Sequence, residues 1–238
     1  MVVAIIVASV LAVAFMAARV TIGTQGVKGA IIAMCVKILA SLGFIAIGVA
    51  ALFSGVENQK AAAFFLFGLV FGLIGDIVLD LKVVYLKQPE EGLYLTCGMA
   101  SFAIGHIMYL VGIVMLLGDT ITLPLIGICV AIAALVSFGM VYGGEKLMKF
   151  RFGKFTIHTL VYGFILVFMG ALSVGVCIVM KSSYAALFAV GMMLFFLSDA
   201  VLSMMYFGGR PRDKALAVIN HSLYYAAQIC IAAFIFFM

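Results

Sequence analysis

Two aspartates, Asp76 and Asp199, lie well inside long apolar stretches of a chain that has only nine acidic residues in 238. An ionisable side chain within a bilayer costs about 2.5–3.5 kcal/mol on insertion scales, so each one needs an interior partner or a function. Two carboxylates that share a buried site resist joint ionisation, which leaves one as an acid and the other as a base. That division of labour suits acid–base catalysis, and proton-coupled transport would use it equally well. Other polar residues sit in comparable surroundings: Lys37, His106, Ser198 beside Asp199, and the set Asn220, His221, Tyr224, Tyr225 and Gln228. Asp80, one helical turn from Asp76 on the same face, reads as interfacial.

The elements that carry these residues are apolar to a degree that excludes a soluble enzyme. Hydrophobic residues make up 67% of the chain and charged ones 10%, with a mean hydropathy of +1.36. Soluble domains run near half apolar and a quarter charged, so too little polar side chain is present to solvate a globule of this size. Three prolines and almost no polar low-complexity sequence exclude a disordered chain. The fold class is therefore all-α: a polytopic integral membrane protein, a single domain over 1–238, built as a bundle of eight transmembrane helices with short loops. A spanning helix needs about 20 mostly apolar residues. Such segments fall at 2–18, 30–53, 61–84, 94–117, 121–141, 156–180, 184–207 and 217–238. The short connections predict that consecutive helices are antiparallel neighbours. The first segment has no basic residue before its apolar run, and Arg19 follows it, so it reads as a spanning helix and not as a signal peptide.

Basic residues set the expected orientation. Eleven of the fourteen fall in four alternate connections: Arg19 and Lys28; Lys82 and Lys87; Lys146, Lys149, Arg151 and Lys154; Arg210, Arg212 and Lys214. Lys60 and Lys181 lie on the other side and Lys37 lies within a helix. The basic loops are expected in the cytoplasm, with both termini extracytoplasmic. The net charge of +5 thus reads as a topology signal and implies no nucleic-acid partner. The five cysteines lie in apolar segments without C-x-x-C spacing and read as small buried hydrophobes. Gly68, Gly72, Gly75, Gly98 and Gly105 read as helix-packing positions, not as a phosphate-binding loop.

Depth brings the polar residues together. At 1.5 Å per residue, Lys37, Asp76, Asp199 and Tyr224 all lie roughly 10–12 Å below the cytoplasmic helix ends, and His106 roughly 18 Å. Spacing aligns their faces: Gly98, Phe102, His106 and Tyr109 form one stripe, and Asn220, Tyr224 and Gln228 another. Four helices therefore place polar groups in one layer.

Taken in order, these residues resemble the YhhN-like lysoplasmalogenase family of eight-helix membrane proteins. The resemblance covers segments two to eight. It rests on Lys37, on Gly75-Asp76 with Leu79, on the Gly98–Tyr109 stripe, and on Tyr162 with Met169. Gly191, Phe195 and Ser198-Asp199 with Leu202, then Tyr224-Tyr225 with Gln228, complete it. Family members often follow the second-helix lysine with proline, whereas Ile38 follows here. The resemblance implies hydrolysis of the vinyl ether of a lysoplasmalogen to a fatty aldehyde and a glycerophospho-ethanolamine or -choline, with Asp76 and Asp199 as the catalytic pair. It implies that Lys37, His106, Tyr109, Tyr162, Ser198, Asn220, Tyr224 and Gln228 bind substrate, with Lys37 holding one aspartate ionised or binding the phosphate. No metal or other cofactor is implied. The expected partners are a lysophospholipid substrate and the bilayer, and so compact a chain points to a bacterial cytoplasmic membrane with the site open to the cytoplasmic side.

Two rival readings belong beside this one. A zinc-dependent hydrolase would need its ligands among His106, His158 and His221, which lack H-x-x-x-H spacing and an acidic cluster. A non-enzymatic lipid or proton-coupled transporter would use the buried charges as a relay, but discontinuous helices and an internal repeat are not evident in the sequence.

Overall fold

The structure is a computed structural model that describes residues 1–84, 91–211 and 213–238. Lys87 and Arg212 of the basic set lie outside the described residues. Among the described residues eight α-helices follow in order: α1 (Val2–Thr21), α2 (Gly26–Phe53), α3 (Gln59–Val84), α4 (Glu91–Leu117), α5 (Leu123–Leu147), α6 (Thr156–Met180), α7 (Ala185–Tyr206) and α8 (Lys214–Phe234). Each is long and apolar enough to span a membrane, and among the described residues there is no strand. This is the all-α membrane bundle that the hydropathy pattern requires, because within lipid a helix satisfies its own backbone donors and acceptors.

Local signals set the helix ends. Pro124 opens α5 where its missing N–H removes nothing from the helix ladder. At α8, the Asp213 carboxylate accepts from the backbone N–H groups of Ala215 and Leu216 at 3.0 and 3.1 Å, closing two orphan donors. α6 covers the expected 156–180, but α5 continues to Leu147 instead of stopping at 141. Gly143 and Gly144 do not break it, since Glu145, Lys146 and Leu147 are good helix formers that carry it out of the apolar layer. α2 begins at Gly26 and not at 30, so Lys28 falls in its first turn.

Most consecutive helices pack together, yet α4 and α5 do not: α4 packs on α6, and α5 packs on α6 from the outside. The cause lies in the faces. The buried positions Cys129, Ala133, Ser137 and Val141 recur every four residues, giving α5 one narrow stripe of mostly small side chains. That stripe can serve a single neighbour. α8 is the opposite case, packing on α7, α1, α2 and α3 with buried residues around most of its circumference.

The α3–α4 contact depends on glycine. A Cβ at Gly68 would stand 2.2 Å from the Tyr109 ring and 2.9 Å from the Gly105 carbonyl oxygen, so only glycine lets these backbones meet. Behind this contact, the Phe65 ring lies 5.2 Å from both Tyr109 and Phe188 and 5.6 Å from Phe234, forming an aromatic core. The cysteines are less uniform than expected. Cys129 is buried and Cys177 and Cys230 are half-buried, but Cys35 and Cys97 are exposed. A membrane helix does not have to hide a small apolar thiol inside the protein, because lipid solvates it as well.

Candidate active site

The carboxylate of Asp76 is held from three sides. Lys37 Nζ lies 3.2 Å from Oδ1, and Ser41 Oγ and Tyr224 OH donate to Oδ2 at 2.6 and 2.8 Å. Lys37 and Ser41 sit one turn apart on α2, so a single helix face presents both donors. α2 starts earlier than its hydropathy suggested, which sets Lys37 deeper along it, and the long lysine side chain still reaches α3. Lys37 also meets Asp80 Oδ1 at 3.4 Å and donates to the Asp76 carbonyl oxygen at 3.5 Å. Asp80 is thus not interfacial: it is 3% exposed, and α1 covers it, bringing Arg19 to within 4.0 Å of the same oxygen. Its other oxygen, Oδ2, is buried without a hydrogen-bond partner among the described residues.

Asp199 lives in different surroundings. Tyr162 on α6 donates its hydroxyl to Oδ2, and among the described residues Asp199 forms no ion pair. Next to it, the Asn220 amide donates to the Ser198 carbonyl oxygen at 2.8 Å and to Ser198 Oγ at 3.0 Å, tying α8 to α7. The two aspartates, far apart in sequence, line one cavity of about 30 Å³ together with Lys37, Ser198, Asn220 and Tyr224. Such a volume has room for one or two water molecules.

Asp199 also lines two further spaces. One, of about 40 Å³, runs between α3, α4, α6 and α7. The other, of about 380 Å³, is bounded mainly by apolar side chains and glycines of α5, α6 and α7, with Tyr162 in its wall. On the opposite side of the central cavity, Arg19, Met205 and Pro211 are shared with a more polar cavity of about 280 Å³ at the basic-loop end. A water-sized centre that carries both carboxylates is therefore flanked by a polar and an apolar compartment.

Not every expected residue reaches that centre. His106, Tyr109 and Gln228 lie behind it, further from the basic-loop end. Gln228 Nε2 donates to Tyr224 OH at 3.0 Å, and Tyr109 OH donates to Gln228 Oε1 at 3.4 Å, so this chain braces Tyr224 against Asp76. Gly72 makes room for it: a Cβ there would lie 2.6 Å from Gln228 Nε2. His106 packs edge-on against Phe195 at 4.8 Å, with Tyr162 at 6.3 Å, and neither ring nitrogen has a partner among the described residues. His221 borders the centre and meets Phe15 edge to face at 4.8 Å, while His158 is exposed. Among the described residues no three His, Cys, Asp or Glu side chains converge to hold a metal.

Two side chains at this site, Ser41 and Arg19, are not among the expected site residues, and Tyr225, expected only as part of the polar set of the eighth segment, joins them. Ser41 was findable, since it follows Lys37 by four residues. Tyr225 donates to the Lys37 carbonyl oxygen at 3.3 Å, and its hydroxyl oxygen lies 3.2 Å from Ser41 Oγ, contacts that depend on the packing of α8 on α2. Arg19 carried a topology signal that hid its second role.

No curated protein and no solved structure matches the chain. A model of the YhhN family matches residues 32–235, a stretch that holds every side chain described around the two aspartates except those contributed by α1, and the chain belongs to that family.

Proposed function

We propose that this protein is a membrane-embedded hydrolase that cleaves the vinyl ether of lysoplasmalogens, with Asp76 and Asp199 as its acid–base pair. The observation that carries this reading is the shared cavity: two carboxylates from α3 and α7 border one water-sized space between a polar and an apolar compartment. A lysolipid has the matching order of parts, namely head group, ether linkage and single chain.

The asymmetry of the two sites supports a division of roles. Asp76 accepts from a cation and two hydroxyls, an environment that favours the carboxylate. Among the described residues Asp199 has one neutral donor and no cation, so it serves as the proton donor. The Asp199 proton goes to the β-carbon of the vinyl ether, and the electron pair of the C=C bond forms the new C–H bond. The α-carbon is left as an oxocarbenium ion facing the Asp76 carboxylate. Water adds to that carbon and gives its proton to Asp76, forming a hemiacetal. The hemiacetal then returns its hydroxyl proton to Asp199, the C–O bond to glycerol breaks, and Asp76 protonates the departing oxygen. Both aspartates end as they began. Glycosidases manage a related cation with two carboxylates. Tyr162 positions Asp199, Lys37 and Tyr224 position Asp76, and the chain lies in the apolar compartment. In the cell, the basic loops face the cytoplasm of a bacterium, both termini face outward, and the site opens to the cytoplasmic side.

The test is aldehyde release by purified protein from 1-alkenyl and 1-acyl lysophospholipids, beside Asp76→Asn and Asp199→Asn. Release is expected from the alkenyl lipid alone, and either substitution should abolish it with folding retained. In D2O the aldehyde should gain one deuterium on the carbon next to its carbonyl. Ester cleavage, full activity in either variant, or an aldehyde without that deuterium would overturn the mechanism. Lipid flux in proteoliposomes without product would favour a transporter.

A further inference from the structure

The polar compartment of about 280 Å³ is bounded by the end of α1, the α1–α2 connection, the start of α2 and the α7–α8 connection. Among the described residues its charged ones are Arg19, Asp213 and Lys214. Asp213 is already committed. It accepts from the Leu216 and Ala215 backbone N–H groups and pairs with Arg210 at 2.6 Å, contacts that hold its carboxyl below the usual range. Arg19 is not committed in this way. Its side chain is 11% exposed, its closest carboxylate contact is the 4.0 Å approach to Asp80, and among the described residues no hydrogen bond is made by its guanidinium. A half-buried arginine whose guanidinium makes no hydrogen bond among the described residues has donors left for an anion entering the compartment it lines. Arg19 also borders the central cavity, so it stands at the junction between the aspartate pair and the polar compartment.

Lys37, the other cation of the centre, is not free for this role, because it is held between Asp76 and Asp80 at 3.2 and 3.4 Å. We infer that the phosphate of the lipid head group binds in the polar compartment, on Arg19 with Lys214 as the second cation, and that Arg19 sets the requirement for a phosphate-bearing lipid. This rests on the lysolipid reading above, yet it concerns residues that the acid–base step does not use. Arg19 belongs to α1, which precedes the matched family region, so the seat is contributed in part by a helix outside that match. A guanidinium can engage two phosphate oxygens at once, whereas Lys214 offers a single charge.

The experiment measures binding of a non-cleavable 1-O-alkyl lysophospholipid and of 1-O-alkylglycerol, which lacks the phosphate, to detergent-solubilised full-length protein. Arg19→Gln should weaken the phosphate-bearing lipid about tenfold or more, the loss of a charge-assisted contact, and leave the alkylglycerol within about twofold. Lys214→Gln should weaken the phospholipid by less, about threefold. Arg19→Lys should fall between wild type and Arg19→Gln, and it decides the matter with Lys214→Gln if Arg19→Gln does not fold. Equal losses for both lipids, or wild-type binding of the phospholipid in Arg19→Gln and Lys214→Gln, would overturn the seat. Displacement of the bound phospholipid by glycerophosphoethanolamine but not by equal inorganic phosphate would identify a head-group site. Equal displacement by inorganic phosphate would make it a free-anion site and refute the head-group assignment. The alkyl lipid is not a substrate, so a failed aldehyde assay would remove the hydrolase reading and leave this result standing.

Discussion

Lys37 is the single cation held between two buried carboxylates, and its removal has a magnitude that the structure sets. Asp76 and Asp80 are each 3% exposed and lie 3.2 and 3.4 Å from Lys37 Nζ. Breaking a buried ion pair by removing one partner costs about 3–5 kcal/mol, because the other charge stays behind uncompensated. Lys37→Met preserves length and apolar stem, and here it strands two carboxylates at once. The loss should therefore lie at the upper end of that range, about 4–5 kcal/mol. Arg19, 4.0 Å from Asp80, is too distant to replace the ammonium. Adding Asp80→Asn to Lys37→Met removes one stranded charge and should recover about 2 kcal/mol, whereas Asp80→Asn alone should destabilise, a coupling of the size found between contacting residues. The assay is reversible unfolding of the wild type, both single variants and the double variant in mixed detergent micelles. Lys37→Met within about 1 kcal/mol of wild type would refute the argument. So would additive losses in the double variant, since the two carboxylates would then not depend on one cation.

Three further outcomes are expected. Tyr162→Phe removes the hydroxyl that holds Asp199 and should lower kcat for aldehyde release on the order of tenfold with little change in KM; an unchanged kcat would remove Tyr162 from the mechanism. Gly163 borders the apolar compartment, and a Cβ there meets only Ser137 at an ordinary 3.8 Å. Gly163→Leu should cut kcat/KM for long-chain lysolipids by about tenfold or more while sparing short-chain ones, and equal effects on both would place the chain elsewhere. In intact cells, a membrane-impermeant maleimide should label Ser182→Cys in the α6–α7 connection and spare Lys149→Cys in the α5–α6 connection; the reverse pattern would invert the proposed orientation.

The helices were legible because a bilayer makes sequence nearly one-dimensional: length and hydropathy fix a span, and 1.5 Å per residue converts position into depth. That is why Asp76, Asp199 and Tyr224 could be assigned to one layer before any packing was known, and why α6 was bounded correctly. What hydropathy does not encode is which face of an apolar helix meets which neighbour. α5 reads as apolar as α4, so nothing in its mean character says that it sits outside the bundle. The signal was present only in the four-residue recurrence of Cys129, Ala133, Ser137 and Val141. The same limit applied to the site. Asp80 looked interfacial because its depth placed it near a helix end, but whether a helix end meets water depends on a neighbour, and α1 covers this one. His106 shared a stripe with Phe102 and Tyr109, and depth alone could not tell that it would face Phe195 instead of the carboxylates.

The depth of the aspartate pair bears on how such a site would be reached. Asp76 lies eight residues from the end of α3 at Val84, and Asp199 seven from the end of α7 at Tyr206, or about 10–12 Å along each axis. The hydrocarbon core of a bilayer is about 30 Å thick within about 40–45 Å overall, so each head-group zone occupies about 5–7 Å. A lysolipid with its phosphate near Arg19, in the last turn of α1, would carry its ether linkage a few bonds deeper, toward the level of the two carboxylates. The chain would then continue into the apolar compartment between α5, α6 and α7. On the proposed reading the substrate would not have to leave the membrane plane, and water would have to travel only from the nearer surface. A narrow centre also matters chemically. On the proposed mechanism, a volume of about 30 Å³ would limit how many waters could stand beside an oxocarbenium ion, and the low dielectric around it would strengthen the pull of the Asp76 carboxylate on that cation.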